Sequence, residues 1–284
     1  MMSKRDASTA LDALAQRLLE IFSNQVLAEP RPYLLGLSGL QGCGKSTLAR
    51  TLVRQARGRG WPAQTLSLDD GYLGRRARAR LAARAHPLLA TRGVPGTHDL
   101  RLLHETLDTL ADASAAHPVA LPRFDKGHDT RKPPSRWPQV RVPPRLIVLE
   151  GWCVGVPPQS EAALHAPINA LERDEDADGR WRRHVNDALT DMQDLWKRLD
   201  ALIVLQAPDW PTVCRWRAEA ERPLREREAP HAMDDAQLRR FMQHYERLSR
   251  HALHSLPARA DVLIRLDAAR RVTAIRTRPS LGML

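Results

Sequence analysis

Cysteine is scarce in this chain, with three in 284 residues: Cys43, Cys153 and Cys214. They are too few and too scattered for a disulfide framework, and none stands in a CxxC or Cys/His zinc spacing, so reduced thiols are expected. Long apolar runs are missing too. None approaches the roughly 20 residues that cross a bilayer, and the start from Met1 to Asp6 lacks the apolar stretch of a secretion signal. The expectation is a cytoplasmic chain with no membrane partner. Lysine is nearly absent: five (Lys4, Lys45, Lys126, Lys132, Lys197) against 39 arginines. The net charge of +11 raises the question of nucleic acid. Arginine spread along the whole chain draws no binding stripe, however, and the reading carries no nucleic-acid partner.

What is present is ordinary for a globular protein, with 43% apolar and 27% charged residues. The length allows one large α/β domain or two small ones. No repeat and no long linker divides it, so residues 1–284 read as one domain.

Leu11, Leu14, Leu18, Ile21 and Phe22 fall at spacings of three and four, which predicts an amphipathic helix over 7–28. Short apolar runs predict strands at 33–38, 63–68, 146–149 and 202–205, and two short terminal strands at 262–266 and 272–275. Helices are expected at 46–55, 184–199, 210–221 and 234–253. Residues 71–144 read as a substrate-side insertion, mostly helical to 116, with a proline-rich loop over 130–144. A lid is expected at about 210–232. Strands alternating with helices predict a doubly wound, mostly parallel sheet.

Gly39-Leu40-Gln41-Gly42-Cys43-Gly44-Lys45-Ser46 matches the phosphate-binding loop pattern G-x-x-x-x-G-K-[ST], in the required strand–loop–helix context. Its glycines (39, 42 and 44) permit a tight turn whose N–H groups converge on phosphate oxygens, and the following helix turns its positive end to the same anion. Lys45 is expected at the β- and γ-phosphates, the Ser46 hydroxyl on Mg²⁺, and Thr47 near the α-phosphate. The fold class is thus α/β of the P-loop nucleoside triphosphate hydrolase type, with helical insertions, and the cofactors are ATP and Mg²⁺. The glycine spacing does not make the GxGxxG of a dinucleotide site.

Ligands of open parallel sheets bind outside the carboxyl ends of the strands. Two acidic sites fall there: the pair Asp69-Asp70, where a carboxylate could take a proton from an attacking hydroxyl, and Glu150, which could hold Mg²⁺ through water. Ser46, Asp69 and Glu150 are the candidate metal residues. Cys43 reads as a small residue tolerated in a turn or as an oxidation-sensitive thiol. His251 and His254 stand at i, i+3 without a fixed carboxylate partner. Glu172 to Asp178 reads as a solvated acidic turn, and the tryptophans at 152, 181, 196, 210 and 216 as core residues.

Five segments go further: Ser67-Leu-Asp-Asp-Gly-Tyr-Leu73, Arg92-Gly-Val-Pro-Gly-Thr-His-Asp99, Leu121-Pro-Arg-Phe-Asp-Lys126, Leu149-Glu-Gly-Trp152 and Ile168-Asn-Ala-Leu-Glu172. With them the chain resembles, from about Leu35 to Leu253, the D-glycerate 3-kinase family, which is related to uridine kinase, phosphoribulokinase and bacterial pantothenate kinase. The resemblance implies transfer of the ATP γ-phosphate to a hydroxyl of a small acid, with Asp69 as base. It implies further that Asp70, Tyr72, His98, Asp99 and Asp125 bind the acceptor, that Lys126 faces the acceptor or the phosphates, and that Glu150 supports the metal. Arginines near Arg215, Arg217 and Arg222 fall where related kinases carry a lid, with Arg217 the candidate nucleotide contact.

Two departures bear on the acceptor. Gly71 stands where the family usually has an aromatic residue, which would widen the pocket or shift its floor, and the loop after Lys126 is short. The rival readings are a kinase for a nucleoside or pantothenate-like compound, a nucleic-acid-binding regulatory ATPase, and a nucleotide-binding module without turnover. A monomer is favoured.

Overall fold

A computed structural model describes residues 4–226 and 233–279. The chain begins with α1 (Lys4–Ala28), β1 (Tyr33–Gly39), α2 (Lys45–Gly58) and β2 (Ala63–Ser67). Next come α3 (Arg75–Arg84) and α4 (Leu100–Leu110), and then four two-residue strands, β3 (Val119–Ala120), β4 (Phe124–Asp125), β5 (Thr130–Arg131) and β6 (Gln139–Val140). β7 (Leu146–Gly151) returns to the main sheet, followed by short α5 (Glu161–Leu164) and α6 (Ala170–Glu175), α7 (Arg180–Asp191) and α8 (Gln193–Trp196). β8 (Ala201–Gln206), α9 (Trp210–Glu226), α10 (Asp235–Ser255), β9 (Val262–Leu266) and β10 (Val272–Thr277) complete it.

The main sheet has the order β10-β9-β8-β1-β7-β2, parallel throughout except for β10 against β9. β1 and β7 are buried at every position, which is why Leu146 to Leu149 is an unbroken apolar run rather than an alternation. α2 packs on the sheet through Leu48, Ala49, Leu52, Val53 and Ala56, and α1 covers it with Leu18, Leu19, Phe22 and Val26. Chain order reverses direction around β1, so the loop after β1 opens at the crevice where such sheets bind ligands.

Several expected boundaries shift. The first helix starts at Lys4, and the helix expected at 184–199 begins at Arg180 and breaks at Met192 into α7 and α8. The insertion holds only two helices of 10 and 11 residues, and the proline-rich segment is not all loop: β5 pairs with β4, and β6 with β3. Pro138, beside β6, lacks an N–H but still accepts from the Leu121 N–H at 2.9 Å. Of the expected lid, residues 227–232 lie outside the described residues. The five tryptophans expected in the core are all buried.

The acidic turn is the clearest correction. Glu172 and Asp176 are not solvated but fully buried. Glu172 takes a two-pronged bond from Arg247, Nε to Oε1 at 2.7 Å and Nη2 to Oε2 at 2.6 Å, while Asp176 pairs with buried Arg182 at 3.0 Å and receives the Trp181 N–H at 2.7 Å. Asp174, Glu175 and Asp178 are the acids of this turn that face water. These pairs fasten α6 to α10 and to α7. Breaking one partner of a buried pair leaves the other charge uncompensated. Arg247→Ala should therefore lower the unfolding free energy by about 3–5 kcal/mol, read from denaturant titration, whereas Arg173→Ala, whose Asp174 partner is exposed, should leave the transition where it is.

Candidate active site

The phosphate loop turns on two residues that only glycine suits. Gly42 has φ +77° and Gly44 φ +96°, the left-handed region that side chains avoid. A Cβ on Gly42 would lie 2.6 Å from Cβ of Trp216. Gly44 is the N-cap of α2, so Lys45 and Ser46 open that helix with its unpaired N–H groups beside the loop. Cys43 is buried, and burial pushes its thiol up against the opposing pull of Lys45. Its sulfur lies 2.6 Å from where a Cβ of Gly39 would stand, so it packs the loop as a small residue and is not a reactive thiolate.

The loop is held from a place that local sequence gives no sign of. In the β9–β10 turn Arg270 has φ +64°, donates from Nε to the Gly42 carbonyl at 2.7 Å, and lies over the Trp216 ring at 5.1 Å. Glu219 pairs with the same guanidinium at 2.7 Å, and Trp216 Nε1 donates to the Ala268 carbonyl at 2.8 Å. The terminal hairpin and α9 together brace the loop.

At the carboxyl ends of the strands the acids meet the loop. Glu150 is the penultimate residue of β7, in register with Leu37 on β1 and Ser67 on β2. Its Oε1 accepts from Ser46 at 3.1 Å and Ser67 at 2.8 Å, while Oε2 is buried without a partner among the described residues. Asp69, in the short turn after β2, accepts from the Tyr72 hydroxyl at 2.7 Å and from Lys126 Nζ at 2.5 Å. Burial pushes the Asp69 carboxyl up, but Lys126 and Lys45, with those two hydrogen bonds, hold it down at about 2. For Lys45, burial pulls down and is outweighed by Cys43, Glu150 and Asp69, so its pKa is raised and it stays charged.

The remaining expected acceptor residues separate into two groups. Tyr72 and His98 are buried and stacked, ring centroids 4.7 Å apart. Both His98 nitrogens lack a partner among the described residues, and burial pulls its pKa down to about 4 against Asp69, so the ring is neutral at pH 7. The other three acids already have partners. Asp70 accepts from the Phe124 N–H at 2.9 Å and Arg123 at 3.2 Å. Asp99 caps α4 through the Leu102 N–H at 3.1 Å and takes Arg131 at 3.1 Å. Asp125 closes its own hairpin turn onto Gly127, His128 and the His128 ring. They shape the wall and do not join Asp69.

Gly71 does not widen the pocket, because a Cβ there would sit 2.9 Å from Leu103 Cδ1, and Leu103 fills the space. Arg217 is bound by Glu221 at 2.6 Å and lies 5.6 Å over Phe241. Arg215 donates to Thr212 at 2.6 Å, and Thr47 is exposed and accepts from Arg50 at 3.3 Å. His251 Nε2 is bonded to the Pro157 carbonyl, and no cluster of three metal-binding side chains occurs among the described residues. That is compatible with Mg²⁺, which takes one or two carboxylates and completes its shell with phosphates and water.

A phosphate loop at the switch point of a parallel sheet, faced by a serine-bound glutamate and an ionised aspartate, defines an ATP-dependent small-molecule kinase of the P-loop class. No family model matches the chain. It is, however, 31% identical to an uncharacterized kinase of Schizosaccharomyces pombe across 84% of this chain and 87% of that protein. To the chloroplastic D-glycerate 3-kinase of Arabidopsis thaliana it is 32% identical, across 75% of this chain and 46% of that longer protein. The fold matches the D-glycerate 3-kinase structure from Cryptococcus neoformans with a TM-score of 0.74 at 23% identity, covering 94% of this chain and 99% of that one. The chain belongs to the D-glycerate 3-kinase family. No helix among the described residues is long and apolar enough to cross a membrane.

The brace on the loop makes two predictions. Gly42→Ala should abolish measurable ATP binding in a calorimetric titration, since both the backbone angle and Trp216 oppose a Cβ. Arg270→Ala should raise the KM for ATP about tenfold, equivalent to roughly 1.4 kcal/mol, with kcat within about twofold; an unchanged KM would show that the hairpin does not support the loop.

Proposed function

We propose that this kinase transfers the γ-phosphate of ATP to a hydroxyl of a small hydroxy acid, D-glycerate, to give 3-phosphoglycerate. The observation that carries the reading is the Asp69 carboxylate, kept ionised between Lys126 and Tyr72 beside the phosphate loop. The Arabidopsis relative named for that activity supports the acceptor, and a mouth bearing Lys126, Arg123 and Arg131 suits an anion.

The phosphate loop and Lys45 hold the β- and γ-phosphates. Ser46 and Glu150 fit a Mg²⁺ ion, because Glu150 Oε2 is a buried oxygen in want of a partner and the Ser46 hydroxyl is already on its neighbour. Both Asp69 oxygens are taken, which leaves the metal to Ser46 and Glu150. Held by Ser46 and Glu150, Mg²⁺ would supply charge neutralisation for the phosphates. The acceptor hydroxyl displaces Lys126 from Asp69, and the freed ammonium turns to the transferring phosphoryl group. The acceptor oxygen then bonds the γ-phosphorus, the bond to the β,γ-bridging oxygen breaks to release ADP, and the hydroxyl proton passes to Asp69. A carboxylate this weakly basic suffices because bond formation to the nucleophile lags in a loose transition state, so orientation matters more than proton affinity. Neutral His98 and the Tyr72 ring line the acceptor's other face. Arg217 would reach the nucleotide only after parting from Glu221.

The test is a panel of D-glycerate, L-glycerate, uridine and pantothenate with MgATP, following ADP release and product mass. D-glycerate alone should turn over; phosphorylation of uridine or pantothenate in its place would overturn the acceptor. Lys45→Ala should cost on the order of 10²–10³-fold in kcat, as removal of one transition-state cation or donor does, and far more than Asp70→Ala. With Asp69 titrating near 2, kcat/KM of the free enzyme should show no acid limb from this group between pH 5 and 8. Lys126→Ala removes the cation that holds the Asp69 pKa down, so the acid limb should move up in pH.

A further inference from the structure

Among the described residues, three cavities of similar volume lie outside the phosphate loop, and one differs from the other two in charge. A cavity of about 410 Å³ sets Arg31, Lys197 and Arg198 against Asp108 and Asp200, and one of about 360 Å³ sets Arg259 and Arg278 around Asp261. The third, of about 380 Å³, is lined by Arg50, Arg54, Arg57 and Arg123 with Gln64 and Thr65, and by no acid. It lies between α2 and β2, the edge strand of the sheet. Spacings of four and three put Arg50, Arg54 and Arg57 on one face of α2.

The hydrogen bonds show which of these charges are already compensated. Arg54 pairs with Asp12 and Arg123 with Asp70. Arg57 donates to the Ala63 carbonyl and to Gln64 Oε1, and Arg50 to the Thr47 hydroxyl at 3.3 Å; neither meets a carboxylate. Four like charges around one concavity, two of them uncompensated, raise the local potential for an anion, and guanidinium forks match phosphate oxygens two at a time. We infer that this cavity binds a small phosphate-bearing anion at a site separate from the phosphate loop. The four arginines come from α2 and from the residue before β4 and line one cavity of about 380 Å³, a volume that fits a small ligand and not a nucleic-acid strand. An anion seated there competes with Asp70 for Arg123, the residue next to the hairpin that carries Lys126.

The experiment is calorimetric titration of inorganic phosphate, and separately of glycerol 3-phosphate, into the protein with its phosphate loop saturated by MgADP. Because the readout is binding, it stands whether or not D-glycerate proves to be the acceptor. One site is expected, weakened at least tenfold in both Arg50→Gln and the Arg50→Gln/Arg57→Gln pair, with MgADP affinity unchanged as the control for folding. Tighter binding of the ester than of inorganic phosphate would identify a phosphorylated metabolite as the source, and the reverse would identify free phosphate. Equal affinity in wild type and both variants, loss of the signal when MgADP is present, or binding only of oligonucleotides with affinity rising with length would each overturn the inference.

Discussion

The site is organised by one buried carboxylate. Glu150 sits at the end of the most enclosed strand of the sheet, where an isolated charge would be expensive to bury. Its cost is offset by hydroxyls from two directions: Ser46 from the phosphate loop and Ser67 from the neighbouring strand. Parallel register puts β1, β2 and β7 level at that point, so the hydroxyls arrive without any side chain having to stretch. The same register delivers Asp69 two residues beyond Ser67. A shift of one residue in β7 would reverse Glu150 to the other face of the sheet and dissolve the arrangement.

Around this carboxylate the charges alternate. Lys45 feels the charges of both Glu150 and Asp69, and Asp69 those of both Lys45 and Lys126. The site's charges thus compensate one another, and in the proposed transfer Lys126 exchanges its partner. That exchange is inexpensive for Lys126, whose side chain is 61% exposed and stands on a short hairpin. The walls, in contrast, are fixed: Asp70, Asp99 and Asp125 are each consumed by backbone N–H groups and by arginine or histidine partners.

Much of this was legible in the sequence, for a physical reason. The phosphate loop is a local structure whose glycines, lysine and serine are neighbours in the chain, and the buried parallel strands announce themselves as apolar runs. The core tryptophans follow from composition and spacing alone. What escaped was non-local. Arg270 meets Gly42 across 228 positions, and Glu172 and Asp176 appear solvated until Arg247 and Arg182 arrive to pair with them. Asp70, Asp99 and Asp125 carry the composition of a binding site, yet capping and hairpin closure claim their oxygens first. Gly71 suggested open space, and Leu103 from another helix occupies it.

The sparing use of lysine acquires a meaning at the site. In a chain with 39 arginines and five lysines, two of the five stand at the chemistry. A guanidinium is a broad fork that prefers to lock onto one partner, whereas an ammonium is a compact charge that rotates freely and releases its partner without losing a planar fit. Arginine builds the fixed pairs of this molecule, such as Arg247–Glu172, and lysine occupies the two positions from which the proposed transfer needs a mobile charge. A reagent that acylates amines would therefore find few targets in the whole protein, and its rate at Lys126 would serve as a built-in gauge of whether that ammonium is resting on Asp69 or engaged elsewhere.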